Sequence, residues 1–387
     1  MPPNSTAPPL RIGVDVREWE RGKMTGIGRY LLNFLFFAAR RRPHFRFFLY
    51  GNQQSGFPEL PENAQPCVIR ERFTFWWDQV SLSRRLRRDG VQLFLSPYPK
   101  GPLSVPCPYL TTIHDLLFLK VPSYTQGSRA VYNRFFRFTA RVYSWGASRV
   151  ITDSQHSRQD LIELLALPAE KIAVVPIGVL PHFKPVEDGQ VLQAVCGRYG
   201  ISGRFILYLG NFKPHKNLGR LLEAFAWVRE AGLGAGGNEA PKLVLAGHDP
   251  VHQADLQERV RELALEQNVI WAGLVEEADL PALYSAAEVF VFPSLYEGFG
   301  LPALEAMACG TAVIASRTTS LPEVVGEAGL LVDPEDSSEL GRAMLSLLSD
   351  NLLRSEFENK GLKRAQKFSL EATSGLLLGL IEQLAAE

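Results

Sequence analysis

Two glutamates flank a glycine-rich turn in the last third of the chain. Glu297 opens the run Glu297-Gly298-Phe299-Gly300-Leu301-Pro302, and Glu305 stands eight positions after it. Pro302 suits the first turn of a helix and Gly310 the position just past its end, so a short helix is predicted. Backbone N–H groups at a helix start, glycines and the positive end of the helix dipole together favour anions and hydroxyl groups. The spacing alone slightly favours a purely structural turn over a ligand site.

Three further polar residues are candidates because each follows a predicted strand. His114 ends the strand Tyr109 to Ile113, while Asn211 and Lys216 follow the strand Phe205 to Leu209. Parallel α/β sheets bind ligands at the carboxyl ends of their strands. A lysine at such an edge could stabilise a departing anion as a point charge. The alternative for the histidine is a structural pair with the adjacent aspartate, and for the lysine a solvated helix start.

Strand-like runs alternate with helical patterns along the whole chain, which is typical of an α/β fold with parallel sheets flanked by helices. The strands predicted in the first half are Arg11 to Val16, Phe45 to Tyr50, Val91 to Leu95, Tyr109 to Ile113, Arg149 to Thr152 and Ile172 to Val175. Those predicted in the second half are Phe205 to Leu209, Lys242 to Ala246, Val269 to Trp271 and Glu288 to Phe292. Helices are predicted at about Gly28 to Arg41 and at Ser128 to Trp145.

A chain of 387 residues is long enough for two domains with substantial cores. A polar stretch with Pro and Gly separates the two strand series. We therefore predict a first α/β domain over 1–180, a linker over 181–203, a second α/β domain over 204–369 and a terminal helix over 370–387 that packs back on the first domain. Because ligands bind at strand ends in such sheets, the cleft between the two facing domains is the expected site.

Composition excludes several classes of protein. With 46% hydrophobic and 21% charged residues, the chain is expected to be globular rather than disordered or coiled coil. Its four cysteines lie far apart without a C-x-x-C pair, which favours a reducing, cytoplasmic location over a disulfide framework or a zinc ribbon. Residues 1–9 do not resemble a secretory signal. The longest apolar stretch, about 30 to 39, is half the ~20 residues of a spanning helix.

Basic and acidic residues are unevenly distributed although each class numbers 41. Residues 1–180 carry 24 Lys and Arg against 13 Asp and Glu, a net charge of +11, and residues 181–387 carry 17 against 28, a net charge of −11. Aromatic residues are interleaved with the basic ones in 40–48, 70–88 and 129–149. Such a surface can dock on anionic lipid, which predicts a peripheral position on the inner face of a membrane. An ordinary solvated basic surface is the alternative, and no nucleic-acid motif accompanies the charge.

The segment 294–310 resembles the E-x7-E element of retaining glycosyltransferases with the GT-B fold, in which two Rossmann-like domains face each other. The resemblance covers nearly the whole chain and is greatest to family 4, particularly to bacterial enzymes that move mannose or similar sugars onto polysaccharide precursors. It extends to Thr25-Gly26-Ile27-Gly28-Arg29-Tyr30, Ile113-His114-Asp115, Gly210-Asn211-Phe212-Lys213-Pro214-His215-Lys216-Asn217 and Ala272-Gly273-Leu274.

The resemblance implies retaining transfer of a hexose, with mannose favoured, from a nucleotide diphosphate sugar to a glycan or lipid-linked acceptor. It also implies that the domain over 1–180 binds the acceptor and the domain over 204–369 binds the nucleotide sugar. Glu297 is then expected to contact the donor sugar and His114 to lie over it near the reacting centre, whereas Lys216 reaches the departing diphosphate. These three are the expected catalytic residues. The expected donor-binding residues are Gly26, Gly28, Asn211, Lys216, Val275, Gly298, Phe299, Gly300, Leu301 and Glu305, with Glu305 on the ribose.

No metal or cofactor is expected, since the sequence has no D-x-D triad and no cluster with metal-ligand spacing. The nucleotide sugar is a substrate, and GDP-mannose is favoured over UDP- and ADP-sugars. Many relatives carry an arginine where Asn211 or His215 stands, so Lys216 is expected to be the principal cation on the diphosphate. By the same resemblance, departure and attack occur on one face of the sugar and no covalent glycosyl-enzyme is expected.

Three other functions are weighed against this one. An NAD enzyme is suggested by Gly26-Ile27-Gly28, but the third glycine is missing and about nine residues separate the turn from its strand. A sugar-nucleotide epimerase with the same fold would act on the donor without an acceptor. A non-catalytic sugar-binding scaffold would tolerate loss of the site, yet His114, Lys216, Glu297 and Glu305 are all present.

Overall fold

The protein is described here by a computed structural model, which covers residues 9–24, 26–121, 128–231 and 240–387. The predicted leader, apart from its last residue, and Thr25 of the Gly26 motif lie outside the described residues. Contacts divide the chain into two compact units. The first contains 9–120, 128–178 and Leu370–Glu387, and the second contains Val179–Ser369.

The first unit is built on a seven-stranded parallel sheet. Its strands are β1 Arg11–Asp15, β4 Arg46–Gly51, β5 Ala64–Val68, β6 Leu93–Ser96, β7 Tyr109–Thr112, β8 Arg149–Thr152 and β9 Ile172–Val174. A short antiparallel pair, β2 Trp19–Glu20 and β3 Lys23–Met24, lies outside this sheet. The spatial order is β5-β4-β1-β6-β7-β8-β9, so the direction of winding reverses between β1 and β6. Ligands bind at such a reversal in doubly wound sheets.

Helices cover both faces of this sheet. They are α1 Gly26–Arg41, α2 Thr74–Trp76, a π-helix Trp77–Leu82, α3 Ser83–Arg88, α4 Leu117–Lys120, α5 Ser128–Gly146, α6 Gln155–Leu165 and a 3-10 turn Ala169–Lys171. On one face the core includes Phe34 and Leu35 of α1. On the other it includes Trp77 of the π-helix and Tyr143 of α5. Burial on both faces explains why β6 and β7 contain no exposed position.

The second unit is built on a six-stranded parallel sheet. Its strands are β10 Phe205–Leu209, β11 Lys242–Ala246, β12 Val269–Gly273, β13 Val289–Phe292, β14 Ala312–Ser316 and β15 Leu330–Val332. The spatial order β12-β11-β10-β13-β14-β15 is the doubly wound order 3-2-1-4-5-6, with its reversal between β10 and β13. Two parallel α/β sheets with Rossmann-like order confirm the predicted fold class.

The helices of the second unit alternate with these strands. They are α7 Gly189–Arg198, α8 Leu218–Glu230, α9 Gln253–Glu262, α10 Leu280–Ala286, α11 Leu301–Ala308, α12 Leu321–Val325, α13 Ser337–Ser349 and α14 Asn351–Gln366. Three short 3-10 turns also lie in this unit, at Pro214–Lys216, Glu277–Asp279 and Gly326–Ala328.

Part of the segment 181–203, expected to be a linker, is helical and belongs to the second unit. The carboxylate of Asp188 caps α7 by accepting hydrogen bonds from the N–H groups of Gln190 and Val191, and Val195 is buried. The cap satisfies amides that a helix start leaves without intrahelical acceptors. The polar composition of the segment conceals this, because only a few apolar side chains anchor it, and within the helix Val195 alone is buried.

The last helix, α15 Leu370–Ala386, belongs to the first unit, although it follows the whole second unit in the chain. Leu377 and Ile381 are buried in the same core as Phe34 of α1, and Glu382 forms an ion pair with Arg42. Burying two such side chains contributes about 3 to 6 kcal/mol. None of the helices in the described part of the chain has the length and apolar character needed to cross a bilayer.

Candidate functional site

Two loops meet at the winding reversal of the second sheet, one after β10 and one after β13. The N–H of Leu295 donates to the carbonyl of His215 at 2.8 Å. Asn217 has a left-handed backbone (φ 61°) and its side-chain amide donates to the carbonyls of Pro293, at 3.1 Å, and Pro334, at 2.7 Å. Asparagine tolerates this backbone better than most residues. These bonds bring the two sequence-predicted loops together at one edge.

Lys216 and Glu297, one from each loop, form an ion pair. The distance between Lys216 Nζ and Glu297 Oε1 is 2.6 Å, and the two side chains are 12% and 13% exposed. Lys216 Nζ also lies 5.0 Å from the centre of the Phe292 ring, where the ring face attracts a cation. The structure therefore places two of the three expected catalytic residues in direct contact. A bound anion and Glu297 would share one ammonium group.

His215, next to that lysine, does not supply charge. Burial, followed by the charges of Lys216 and Lys213, lowers the pKa of His215 to about 4. Its imidazole is neutral at pH 7. The positive charge of this turn therefore comes from its lysines, Lys213 and Lys216.

The loop that carries Glu297 is held by a neighbouring turn after β14. The N–H of Glu297 donates to Thr319 Oγ1 at 3.2 Å, and Ser320 Oγ donates to the carbonyls of Glu297, at 2.9 Å, and Phe299, at 2.8 Å. Thr319 has φ 55°, a strained backbone for a β-branched residue that costs about 1 to 3 kcal/mol. Neither residue was predicted as part of the site, although the run Thr318-Thr319-Ser320 follows the buried strand β14 after only one residue, Arg317.

The helix α11 starts at the turn predicted from the glycines. Gly300 precedes it with φ 109°, and a Cβ there would lie 2.6 Å from Leu321 Cδ2. Leu301 is its first residue, so its first backbone N–H groups have no intrahelical acceptor. Phe299 packs its ring on Phe368 at 5.9 Å, and Gly298 is buried. Phe299 can therefore serve a ligand only through its backbone.

Glu305, the second glutamate, lies on α11 and is partly buried. It accepts a hydrogen bond from the hydroxyl of Tyr284 at 3.0 Å. Burial, with the charge of Glu305 next in size, raises the pKa of Tyr284, so the hydroxyl remains a donor. Tyr284 thus orients one oxygen of the carboxylate, a contact that spacing in the sequence did not reveal.

Three glycines form an edge at the ends of β10, β11 and β12. Gly210, Gly247 and Gly273 have φ values of 155°, 141° and 68°. The N–H of Gly247 donates to the carbonyl of Gly273 at 2.7 Å. Asn211 is exposed just past this glycine edge, and Val275 is partly exposed beyond β12. Without side chains, the edge lets a ligand approach the backbone closely.

Replacing Gly247 with alanine is expected to lower the free energy of unfolding by about 2 to 4 kcal/mol. The new Cβ would lie 1.8 Å from the carbonyl oxygen of Gly210, and φ 141° is unfavourable for alanine. Chemical unfolding followed by circular dichroism measures this. Gly219→Ala is the matched control, because no atom lies within 4 Å of its Cβ position. Equal midpoints for the two variants would contradict the close approach.

In the first unit, His114 lies just past β7 and is bonded to the next strand end. The distance between His114 Nδ1 and Asp153 Oδ2 is 2.8 Å. The adjacent Asp115 accepts from the N–H of Leu117 at 3.0 Å, so the partner of this histidine is distant in sequence. The ring of Tyr30 lies edge-on at 5.5 Å. The neighbouring Ser154 caps α6 by accepting from Ser157 N.

Three polar atoms around this histidine are buried without a hydrogen-bond partner in the described part of the chain. They are His114 Nε2, Tyr30 Oη and Asp153 Oδ1. Burial alone lowers the pKa of His114, but the charge and hydrogen bond of Asp153 outweigh it and the pKa is raised. Buried polar atoms without partners are costly and rare. Here they are suited to hydroxyl groups of a ligand.

The two glycines proposed for the donor in this unit differ from each other. Gly26 is exposed at the first position of α1, with no atom within 4 Å of a Cβ position. Gly28 is buried, and its carbonyl accepts from Trp19 Nε1 at 2.8 Å. Gly26 is therefore accessible to a ligand, whereas Gly28 anchors the helix.

A buried ion cluster at the end of β1 was not anticipated from the sequence. Arg17 Nη2 lies 2.7 Å from both Asp15 Oδ2 and Asp78 Oδ1, and its guanidinium lies 3.8 Å from the Trp77 ring centre. Burial opposes the charge of Arg17, but its acidic neighbours raise its pKa overall. Beside it lies a polar pocket of about 410 Å³, lined by Arg17, Glu18, Glu20, Asn52, Gln53, Gln54, Glu71, Arg72, Thr74 and Lys100.

Two family descriptions match the chain, one in each half. "Glycosyltransferase Family 4" matches residues 24–182, and "Glycosyl transferases group 1" matches residues 202–364. The O-antigen chain mannosyltransferase B of Escherichia coli is 34% identical over 264 residues, 68% of this chain and 67% of that protein. The serotype-specific mannosyltransferase WbdA of Escherichia coli is 33% identical over 238 residues, 60% of this chain but 28% of that protein.

Solved structures are similar over almost the whole chain. Sucrose-phosphate synthase from Thermosynechococcus elongatus has a TM-score of 0.77 and 22% identity, covering 97% of this chain and 99% of that one. HepE of Anabaena, in complex with UDP and glucose, has a TM-score of 0.73 and 19% identity, covering 97% and 100%. At such identities these structures show the shared fold.

Proposed function

The chain belongs to family 4 of the glycosyltransferases and has their GT-B fold, and we propose that it transfers a mannosyl residue from a nucleotide diphosphate sugar to a glycan or lipid-linked acceptor. The Lys216–Glu297 pair carries this proposal. It combines a cation for phosphate with a carboxylate for sugar hydroxyls, at the winding reversal of a doubly wound sheet.

The diphosphate is proposed to bind at three groups of atoms in the second unit. Lys216 supplies the positive charge, the first backbone amides of α11 supply hydrogen bonds, and the glycine edge allows the phosphates to approach. Glu305, oriented by Tyr284, accepts from the ribose. As the glycosidic bond breaks, negative charge builds on the diphosphate, and the preorganised donors act most strongly at that point.

The sugar is proposed to contact Glu297 and His114. Glu297 accepts hydrogen bonds from sugar hydroxyls, and the loop bonds from Thr319 and Ser320 hold it in place. His114 presents its Nε2 while Asp153 holds its other ring nitrogen. We propose that the acceptor attacks on the face from which the diphosphate leaves, so the anomeric configuration is retained without a covalent intermediate.

Mannose is favoured as the transferred sugar because the first relatives are mannosyltransferases by name.

For the acceptor, the polar pocket beside Arg17 suits a carbohydrate. Its amides can donate to and accept from neighbouring hydroxyls, its carboxylates can accept from them, and its volume is about 410 Å³. We propose that a sugar of the growing glycan occupies this pocket.

The transfer is expected to proceed at an unchanged rate in excess EDTA, because Lys216 and backbone N–H groups neutralise the diphosphate. Incubation with GDP-mannose and a mannoside acceptor tests this, with NMR of the product reporting the configuration at the new linkage. A strict requirement for magnesium or manganese, or an inverted product, would overturn the mechanism. Donor alone is the control, since an altered free nucleotide sugar would indicate an epimerase.

The donor base is tested separately by thermal shift with GDP, UDP and ADP and their sugars. A ligand at 100 times its Kd stabilises the folded chain by about 2.7 kcal/mol. We expect the largest shift with GDP-mannose. A larger shift with a UDP- or ADP-sugar would identify that sugar as the donor, and the proposed class of reaction would not change.

A further inference from the structure

Helix α5 carries a row of large apolar side chains on its outer side. Phe135 and Phe138 are 67% and 66% exposed, and Val142 and Trp145 are also exposed. Their spacings of three, four and three residues place them on one face of the helix. Single exposed apolar residues are common, but a continuous row of four marks an interaction surface. We call these four residues the α5 row.

The α5 row is not needed to pack the helix on its own unit. Ala140, Tyr143 and, just after the helix, Ala147 are buried and fill the core beneath the sheet. The inner face of α5 therefore already provides its hydrophobic contact. Within the part of the chain that the structure describes, none of the four residues of the α5 row belongs to a hydrophobic core, and their exposure costs about 25 cal/mol for each Å² of apolar surface left in water.

Helix α5 itself carries only basic charge. Arg134, Arg137 and Arg141 are exposed on the same helix, and Lys171 Nζ lies 6.0 Å from the Trp145 ring centre. Residues 116–152 contain neither Asp nor Glu. Any partner of this face therefore meets apolar side chains bordered by cations, with no acidic side chain on the helix itself.

A second group of exposed apolar residues lies on the same face of the sheet. Phe73, Phe75 and Trp76 are exposed at α2, and the π-helix that follows packs into the same core as α5. The side-chain amide of Gln79, in that π-helix, donates to the carbonyl of Gly101 at 2.9 Å. A Cβ on Gly101 would lie 2.3 Å from Tyr143 of α5, so this loop adjoins both helices.

We propose that the α5 row, with Phe73, Phe75 and Trp76, docks on an anionic phospholipid bilayer. Aromatic side chains are suited to the headgroup region because their rings are apolar and, in tryptophan, carry one N–H donor. Arginines at the border pair with lipid phosphates. A bilayer fits better than a protein partner because α5 carries only basic charge and the exposed apolar side chains extend over two separate elements.

This proposal concerns a binding surface and not the transfer reaction, so its test does not depend on the identity of the donor. The test is flotation with vesicles of phosphatidylcholine, with and without phosphatidylglycerol, at low and high salt. We expect recovery with the anionic vesicles only, weakening as salt screens the arginines. Phe138→Ser/Trp145→Ser and Arg134→Gln/Arg141→Gln are each expected to lower vesicle binding about tenfold or more.

The matched control is Leu352→Ser on α14, which removes a side chain that is 85% exposed in the other unit and should leave vesicle binding unchanged. Circular dichroism confirms that each variant folds, and transfer to a soluble acceptor should continue in all of them. Equal recovery with neutral and anionic vesicles would overturn the proposal, as would full binding by the aromatic variant. Loss of a dimer in the aromatic variant, without vesicle binding by the unaltered chain, would identify the face as a protein interface instead.

Discussion

Replacing Lys216 with alanine is expected to lower kcat by about 10² to 10³, by analogy with the loss of one preorganised donor to a developing anion. Donor affinity should fall less, because charge on the diphosphate grows as the glycosidic bond breaks. Steady-state kinetics with varied donor separates the two parameters. The pair with Glu297 at 2.6 Å means that the variant also leaves a partly buried carboxylate without its cation.

The two effects of Lys216 can be separated by a double-mutant cycle with Glu297→Gln. If the lysine serves only to neutralise Glu297, Lys216→Ala should cost little once the carboxylate has become an amide. If the lysine acts on the diphosphate, the double variant should still lose about 10² or more in kcat. The second result is expected. A nearly additive loss would further indicate that the two side chains act on separate parts of the donor.

Lys213→Ala is the matched control, since it removes an exposed lysine from the same turn. It should change kcat little. Asn211→Arg is the reciprocal test, because it adds a cation to the loop that carries Lys216 and should tighten donor binding and partly rescue Lys216→Ala. An unchanged kcat in Lys216→Ala would assign the diphosphate contact to another cation, such as Lys213 or Arg29.

The doubly wound fold could be predicted because its determinants are local. The buried strand Val289–Phe292, the glycines of the following turn and Pro302 each act within a few residues, and the helix α11 starts where they place it. The predicted strands lie within two residues of their observed bounds for the same reason. The resemblance to family 4 is confirmed by both family matches and by the relative of 34% identity.

The partners of the site residues could not be predicted, because they are distant in the chain. Asp153 is 39 residues from His114, and Thr319 is 22 residues from Glu297. Only the order of strands in the sheets brings them together. The roles assigned to His114, Lys216 and Glu297 remain proposals, although the structure shows which neighbours would support them.

Replacing His114 with alanine is expected to lower kcat/KM about tenfold to 100-fold, the cost of losing one hydrogen bond near the reacting sugar. Asp153→Asn keeps the imidazole but removes the charge that raises its pKa. The limb of the pH–rate profile that reports His114 should therefore move to lower pH in this variant, whichever protonation state is active. Asp115→Asn is the control and should move it less, because Asp115 contributes less to the shift than Asp153.

Stability should follow the same linkage. Since the folded pKa of His114 is raised above its unfolded value of about 6.5, the stabilisation by Asp153 is fully present below that value and is lost as pH rises through the folded pKa. The difference in unfolding free energy between the unaltered chain and Asp153→Asn should thus be largest where His114 is protonated while Asp153, whose own pKa burial raises, is still ionised. It should shrink as the pH rises through the folded pKa of His114. A difference that grows with pH, together with an unmoved rate profile, would show that Asp153 holds a neutral histidine for structure alone.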